Sequence, residues 1–291
     1  MEIVSRRFPP EKPILLMPVG DIQWAGDESE IALSMLQKHI QWGVDNNAYF
    51  LGMGDYIDTF SPSNRAEIKS AKLYDTARKA LDQSAEKMVK EIYEKALKPS
   101  RGRWLGMLEG HHFHEFLDGT TSDQMLTRML STTFLGSSAY VRLMFDGGAG
   151  KVGTVLVWCH HGTGGGRRLS APLNQLDQLP THFAGDIFLV GHHTKKVAAP
   201  LDFCEPVFGN KAGPSLRHRT KILACTGGFL KGYRVGSVHG LVPRGNYVEQ
   251  KMLNPVALGG VLIRIRPRWK DVGKHTPERR QVWLPDLSVE L

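Results

Sequence analysis

Leu51-Gly52-Met53-Gly54-Asp55-Tyr56-Ile57-Asp58 is the stretch on which the reading of this chain turns. The apolar run from Ala48 to Leu51 reads as a buried strand, and it stops at a glycine followed by two carboxylates three residues apart. Glycine lets the backbone approach closely and a carboxylate supplies a hard oxygen ligand, so such a turn suits a metal ion. Taken singly the signal is weak, because Gly-Asp turns also close ordinary strands.

The same event recurs. Ile14 to Val19 ends in Gly20-Asp21-Ile22-Gln23, and Trp104 to Leu108 ends in Glu109-Gly110-His111-His112. Val155 to Cys159 ends in His160-His161-Gly162, and Ile187 to Val190 ends in Gly191-His192-His193-Thr194. Five apolar runs thus each end in Asp or His beside Gly, the donor types that suit divalent metals. In open α/β sheets ligands gather beyond the carboxyl ends of strands, so five separate segments can converge on one site.

Outward from these motifs, the spacing predicts a helix from about Glu28 to Asn46, with Ile31, Leu36, Ile40 and Val44 on one face. Ser61-Pro62-Ser63-Asn64 is a turn that can also cap a helix, and no Gly or Pro interrupts Arg65 to Lys98, which reads as one long helix or a helical pair. A helix from Asp123 to Leu130 precedes a strand pair, Tyr140 to Phe145 and Val152 to Cys159, joined by a turn at Asp146 to Gly150. A helix from Pro172 to Leu179 leads to the last histidines, and the remainder reads as β, with a turn at Gly227-Gly228. The domain reading is an N-terminal extension at 1–12, one domain at 13–266 with a helical insertion at about 62–99, and a basic C-terminal segment at 267–291.

The chain's 291 residues, 41% hydrophobic and 23% charged, have the composition of a globular protein with a sizeable core. No apolar run approaches the ~20 residues of a membrane span, and no apolar stretch follows Arg6 and Arg7 as in a secretory signal. Three widely spaced cysteines argue against a disulfide framework, and together these features lead us to expect a cytoplasmic protein with no membrane partner. Net charge is +8, and Arg264 to Arg280 carries seven Lys/Arg against two acids. That excess raises the expectation of a polyanionic partner such as DNA or RNA, although a solvated terminal segment is the simpler account of it. Gly162 to Arg168 lacks the Gly-Lys-Ser/Thr ending of a nucleotide P-loop, so it is not one, yet Arg167 and Arg168 could reach a phosphate, as could Arg65. Trp24, Tyr56, Phe113 and Phe116 lie beside the motifs, where they either stack on a base or simply pack.

In this order the segments resemble the calcineurin-like metallophosphoesterase superfamily, whose pattern is Asp-x-His, Gly-Asp-x-x-Asp, Gly-Asn-His-Asp/Glu, a His before Gly, then Gly-His-x-His. The resemblance runs from about Ile14 to Thr194, and the Gly54-to-Asp58 and Ser61-to-Arg65 wording is similar to phage-encoded and nuclease-branch members. It implies an α/β fold, a four-layer α-β-β-α sandwich of two mixed sheets flanked by helices. By the resemblance, Asp55 bridges two cations ~3.5–4 Å apart. Asp21 and Gln23 fall at one metal, while His111, His161 and His192 fall at the other, with His160 the less favoured choice beside His161. His112 then acts on the leaving oxygen and Asp58 orients it.

Three positions depart from the pattern. Gln23 stands in place of a His, His111 in place of Asn, and Thr194 in place of the final His, with His193 a poor substitute. Gln23 and Thr194 weaken the same metal site, so the expectation is one firm and one weak site, filled by Mn²⁺ or alternatively by Zn²⁺, Fe or Ni²⁺. The expected activity is hydrolysis of a phosphate ester, preferably a phosphodiester or nucleic acid, by a metal-activated water. The alternatives are a degenerate single-metal member that binds phosphate or nucleic acid with little turnover, or a phosphomonoesterase or protein phosphatase.

Overall fold

A computed structural model describes residues 1–71, 73–147, 150–209, 213–239, 242–272 and 280–291. One of its two main sheets orders Asp286–Glu290, Leu262–Arg266, Ile14–Val19, Tyr49–Gly52, Trp104–Leu108 and Phe134–Gly136. From Ile14–Val19 onward these strands run parallel, and the two late strands add antiparallel. The second sheet orders Glu2–Phe8, Ser138–Asp146, Val152–His160, Ile187–Val190, Gly213–Gly228 and Gly259–Gly260, with Lys196–Gly209 also paired to Gly213–Gly228. Both sheets are mixed, and the fold is α/β.

The sheets face each other. Leu16, Leu51, Met53 and Leu105 of the first pack with Val141, Val157, Leu189 and Ala224 of the second in one buried cluster. The outer face of the first sheet, through Met17, Phe50 and Met107, packs on the helices Leu33–Asp45, Asp75–Ile92 and Ser122–Met129. The outer face of the second, through Trp158, Phe188 and Leu223, packs on the helix Ser170–His182. Strands covered on both faces need apolar residues at nearly every position, which is why Ile187–Val190 and Trp104–Leu108 are buried throughout. Among the described residues no helix is long and apolar enough to cross a membrane.

Several boundaries differ from the sequence expectation. Residues 1–12 include the strand Glu2–Phe8, paired parallel to Ser138–Asp146. It reads as polar because it is an edge strand held by backbone bonds, with Phe8 buried between the sheets. The segment 267–291 is also built in. Asp286–Glu290 extends the first sheet, and the indoles of Trp269 and Trp283 lie over Gly147 and Gly153 of the second. Arg264 pairs with Glu290, and Arg266 and Arg268 pair with Asp286, which lowers the free positive charge of this stretch. Residues 273–279, with the basic side chains of Lys274 and Arg279, lie outside the described residues, as do 148–149 of the expected turn.

The helix expected from Glu28 begins at Leu33, because Ala32 N–H donates to Phe229 O and Ile31 bridges to Leu230. Of the two alternatives for Arg65 to Lys98, the helical pair is the one formed, Pro62–Ser70 and Asp75–Ile92, the first capped by Ser61 Oγ accepting from Asn64 N–H. Gly227-Gly228 is not a hairpin turn. It closes a 16-residue strand and pairs with Gly259–Gly260.

Candidate metal centre

All five motif turns leave strands that point the same way within their sheet. Parallel pairing of Ile14–Val19, Tyr49–Gly52 and Trp104–Leu108 brings Asp21, Asp55 and His111 to one edge. Parallel pairing of Val152–His160 with Ile187–Val190 brings His161 and His192 to the facing edge. Backbone bonds then stitch the turns together, from Asp21 N to Gly54 O (2.9 Å), Gln23 N to Asp55 O (2.9 Å) and Gly191 N to His160 O (3.3 Å).

Strain concentrates here. Of nine non-glycine residues with positive φ among the described residues, five are motif residues: Asp21 (47°), Gln23 (53°), Asp55 (54°), His192 (65°) and Thr194 (54°). Each costs about 1–3 kcal/mol, and such outliers persist only where the surroundings over-determine them. The apolar layer between the sheets does so, since each large side chain buried there contributes roughly 1.5–3 kcal/mol. Glycine supplies the remaining room: a Cβ on Gly110 would lie 2.1 Å from Asp55 N, and one on Gly54 would lie 2.5 Å from His161 Nδ1.

The ligating atoms of His111, His161 and His192 lie within 4.8 Å of one another, a group that could hold a metal ion. Two tautomers are set by backbone carbonyls. His161 Nδ1 donates to Met53 O at 2.6 Å, and His192 Nε2 donates to Gly164 O at 2.7 Å. A carbonyl can only accept, so in the neutral rings the lone pairs sit on His161 Nε2 and His192 Nδ1. His192 Nδ1 is 3.2 Å from His111 Nδ1, and His161 Nε2 is 3.3 Å from Asp55 Oδ2. The other Asp55 oxygen accepts from the N–H groups of His111 (2.5 Å) and His112 (3.0 Å). Asp55 Oδ2, Asp21 Oδ1 and His161 Nε2 are buried with no hydrogen-bond partner among the described residues. Buried orphans of this kind are costly unless a cation satisfies them, and N/O donors converging on one point fit a divalent metal.

The electrostatics follow the same geometry. Burial raises the Asp21 carboxyl well above the usual range, with His161 opposing. Burial pulls Asp55 upward too, but His161 and the His111 N–H outweigh it and hold the carboxylate below its ordinary range. Burial pushes His161 down, and Asp55 more than reverses that. Burial and the neighbouring imidazoles lower His111 to about 4. At neutral pH it is thus an unprotonated donor, as a metal ligand must be.

Beside this group, His112 Nδ1 lies 2.8 Å from Asp58 Oδ1, the pairing the resemblance implies. Burial lowers His112, and the Asp58 bond together with the charges of Asp55 and Asp58 outweighs it, so its net shift is upward. His160 is drawn elsewhere, with Nδ1 accepting from Gly162 N–H and the ring stacked on Trp158. His193 is bonded through Nε2 to Gln175 Oε1 at 2.9 Å, and Thr194 Oγ1 donates to His193 O. Neither replaces an absent imidazole. Gln23 is nearly buried and held to Asp55 by its backbone. Arg65 is not free for phosphate through Nη1, which donates to the carbonyls of Phe60, His111 and Phe113 and so pins the histidine turn. Arg167 and Arg168 are exposed on the glycine loop. Trp24 and Tyr56 are fully buried, so they pack and do not stack on a base.

Sequence reasoning missed four contributors. Asp123 Oδ2 accepts from Gly110 N–H at 2.9 Å from beneath the turn; nothing in its helix motif marks it. Gly164 orients His192, and buried Lys195 holds the same loop by donating to Gly166 O. Gly228 lets the chain pass Asp21, because a Cβ there would lie 2.8 Å from Asp21 Cβ; the Gly-Gly pair after an apolar strand was the legible sign. No protein-family model matches this chain, and no curated protein matches it either.

Proposed function

We propose that the chain is a metal-dependent phosphoesterase of the calcineurin-like type that hydrolyses a phosphodiester. The observation that carries this reading is the convergence of the His161, His192 and Asp55 lone pairs on one point beside a His112–Asp58 pair. The two mixed sheets, with their ligand-bearing strand ends at one rim, support the four-layer family fold.

His111, His161, His192 and Asp55 would hold one cation, and Asp21 with Asp55 and Gln23 would hold a second, weaker one. Bound divalent ions such as Mn²⁺ supply Lewis acidity at the phosphoryl oxygens and a nucleophile at neutral pH. Asp58 holds the proton on His112 Nδ1, which leaves Nε2 to hand a proton to the leaving oxygen. The positive ring also stabilises charge on the phosphoryl group. Hydrolysis of bis-p-nitrophenyl phosphate with added Mn²⁺ tests the reading, with loss of at least a hundredfold expected in Asp55→Asn. Wild-type protein without turnover would sink it.

Thr194 Oγ1 turning to its own backbone favours a second reading, a single-metal phosphate-binding protein with little turnover. Tight phosphate binding by a wild type that hydrolyses neither mono- nor diesters would select it.

A further inference from the structure

A cavity of about 380 Å³ opens beside the histidine turn, not over it. Phe60, Phe116, Leu73 and Leu81 form its apolar walls, and Arg65 and Arg78 line it. Arg65 ties the two places together, since the guanidinium that faces the cavity also donates to His111 O at 2.5 Å. Phe60 follows Asp58 by two residues and His114 follows His112 by two. Two residues span at most about 7 Å, so the cavity wall lies next to the His112–Asp58 pair.

Two acids line the cavity, Asp82 and Glu115, and both have partners. His114 Nε2 lies 2.6 Å from Asp82 Oδ1, and Asp82 Oδ2 accepts from Leu117 N–H at 3.2 Å. Each Asp82 oxygen thus accepts a hydrogen bond, and Glu115, the other acid of the lining, is paired with Lys69. The cations are different. Arg65 uses only Nη1 on the carbonyls, and the Arg78 guanidinium has no hydrogen bond or ion pair among the described residues. Aromatic and leucine walls accept a flat ring, and guanidinium groups match phosphate oxygens. The volume falls within the range of small-molecule sites, which start near ~300 Å³.

We propose that this cavity takes a nucleoside of the substrate, with its base between Phe60, Phe116 and the two leucines and a neighbouring phosphate on Arg65 and Arg78. The proposal rests on the phosphoesterase reading of the adjacent centre and narrows its substrates to nucleotidyl esters. An uncharged apolar ligand would leave both guanidinium groups unmatched.

Isothermal titration of the full-length chain with a phosphorothioate-linked thymidine dinucleotide, which resists hydrolysis, tests it. Arg78→Ala and Leu81→Trp are each expected to weaken binding at least tenfold while keeping the wild-type circular dichroism spectrum and melting temperature. Lys87→Ala, on the exposed side of the same helix, is the unchanged control. Equal affinity in wild type and both cavity variants, or no binding by wild type at millimolar dinucleotide, overturns the proposal. A thymidine hexanucleotide binding tenfold tighter than the dinucleotide assigns a nucleic-acid strand as the source, and equal affinity assigns a free nucleotide ester. Hydrolysis of bis-p-nitrophenyl phosphate is scored separately. Cavity-dependent dinucleotide binding by a protein that leaves the diester intact keeps the cavity and removes the phosphoesterase reading.

Discussion

His161 Nε2 and Asp55 Oδ2 stand 3.3 Å apart, both buried, and no hydrogen bond joins them. Met53 O takes the other ring proton, so in the neutral ring two lone pairs face each other. Either a proton or a metal ion must occupy the space between. Asp55 already favours the protonated ring, so metal uptake at pH 7 is expected to release protons. Titrating metal in buffers of different ionisation enthalpy measures the release, and none at all would count against His161 as a ligand.

The donor set is lopsided. In the proposed two-metal reading three imidazoles and Asp55 would serve one cation, whereas the other would have Asp21, a share of Asp55 and the weak amide of Gln23. After dialysis one ion per chain is expected by mass spectrometry, falling to none in His161→Ala. Two equally retained ions would end the asymmetry.

His112 carries the pH dependence of the proposed proton transfer. Burial lowers its affinity for the proton, and Asp58 and Asp55 together more than restore it, so the net shift is upward. A general acid works below its pKa, so activity should fall on an alkaline limb placed above the ordinary histidine value. Asp58→Asn should move that limb to lower pH and reduce kcat by roughly 10²-fold, the usual scale for acid–base assistance. An unmoved limb in a pH–rate profile would exclude the pairing from catalysis.

Gly110 is expected to tolerate no side chain. A Cβ there would lie 2.1 Å from Asp55 N and 2.2 Å from Asp55 Oδ1, and backbone cannot step aside. Gly110→Ala should cost more than about 2 kcal/mol on denaturant unfolding and abolish metal retention. Gly165→Ala, with nothing within 4 Å of its Cβ, is the harmless comparison.

His39 gives an acid-sensitive term away from the centre. Burial, with Lys196 adding to it, lowers the imidazole to about 4, and its Nε2 has no partner. The unfolded chain therefore binds the proton more readily, and stability is lost as pH falls from about 6.5 toward 4. Wild type should lose about 2 kcal/mol more than His39→Gln between pH 8 and pH 5. Parallel stability curves for the two proteins would contradict this.

Strand-end chemistry was legible because covalent order alone puts Asp or His after a buried run. The turns at Asp21, Asp55, His111, His161 and His192 needed no partner to be recognised, and the apolar runs around them announced strands covered on both faces. Edge elements were not legible. Glu2–Phe8 is held by backbone bonds to Ser138–Asp146, which leave no mark in its side chains. The break after Ser70 has neither Gly nor Pro to signal it.

Residue types and their order in the chain determined the fold class, the convergent turns and the list of candidate ligands, because burial and turn geometry act on neighbouring residues. Only the tertiary structure decided which nitrogen of each ring is free, because carbonyls of Met53 and Gly164 choose it from 108 and 28 residues away. It also committed one guanidinium nitrogen of Arg65 to clamping the histidine turn and set the cavity beside it. Hydrogen-bond direction and cavity shape depend on segments distant in sequence, and no local pattern records them.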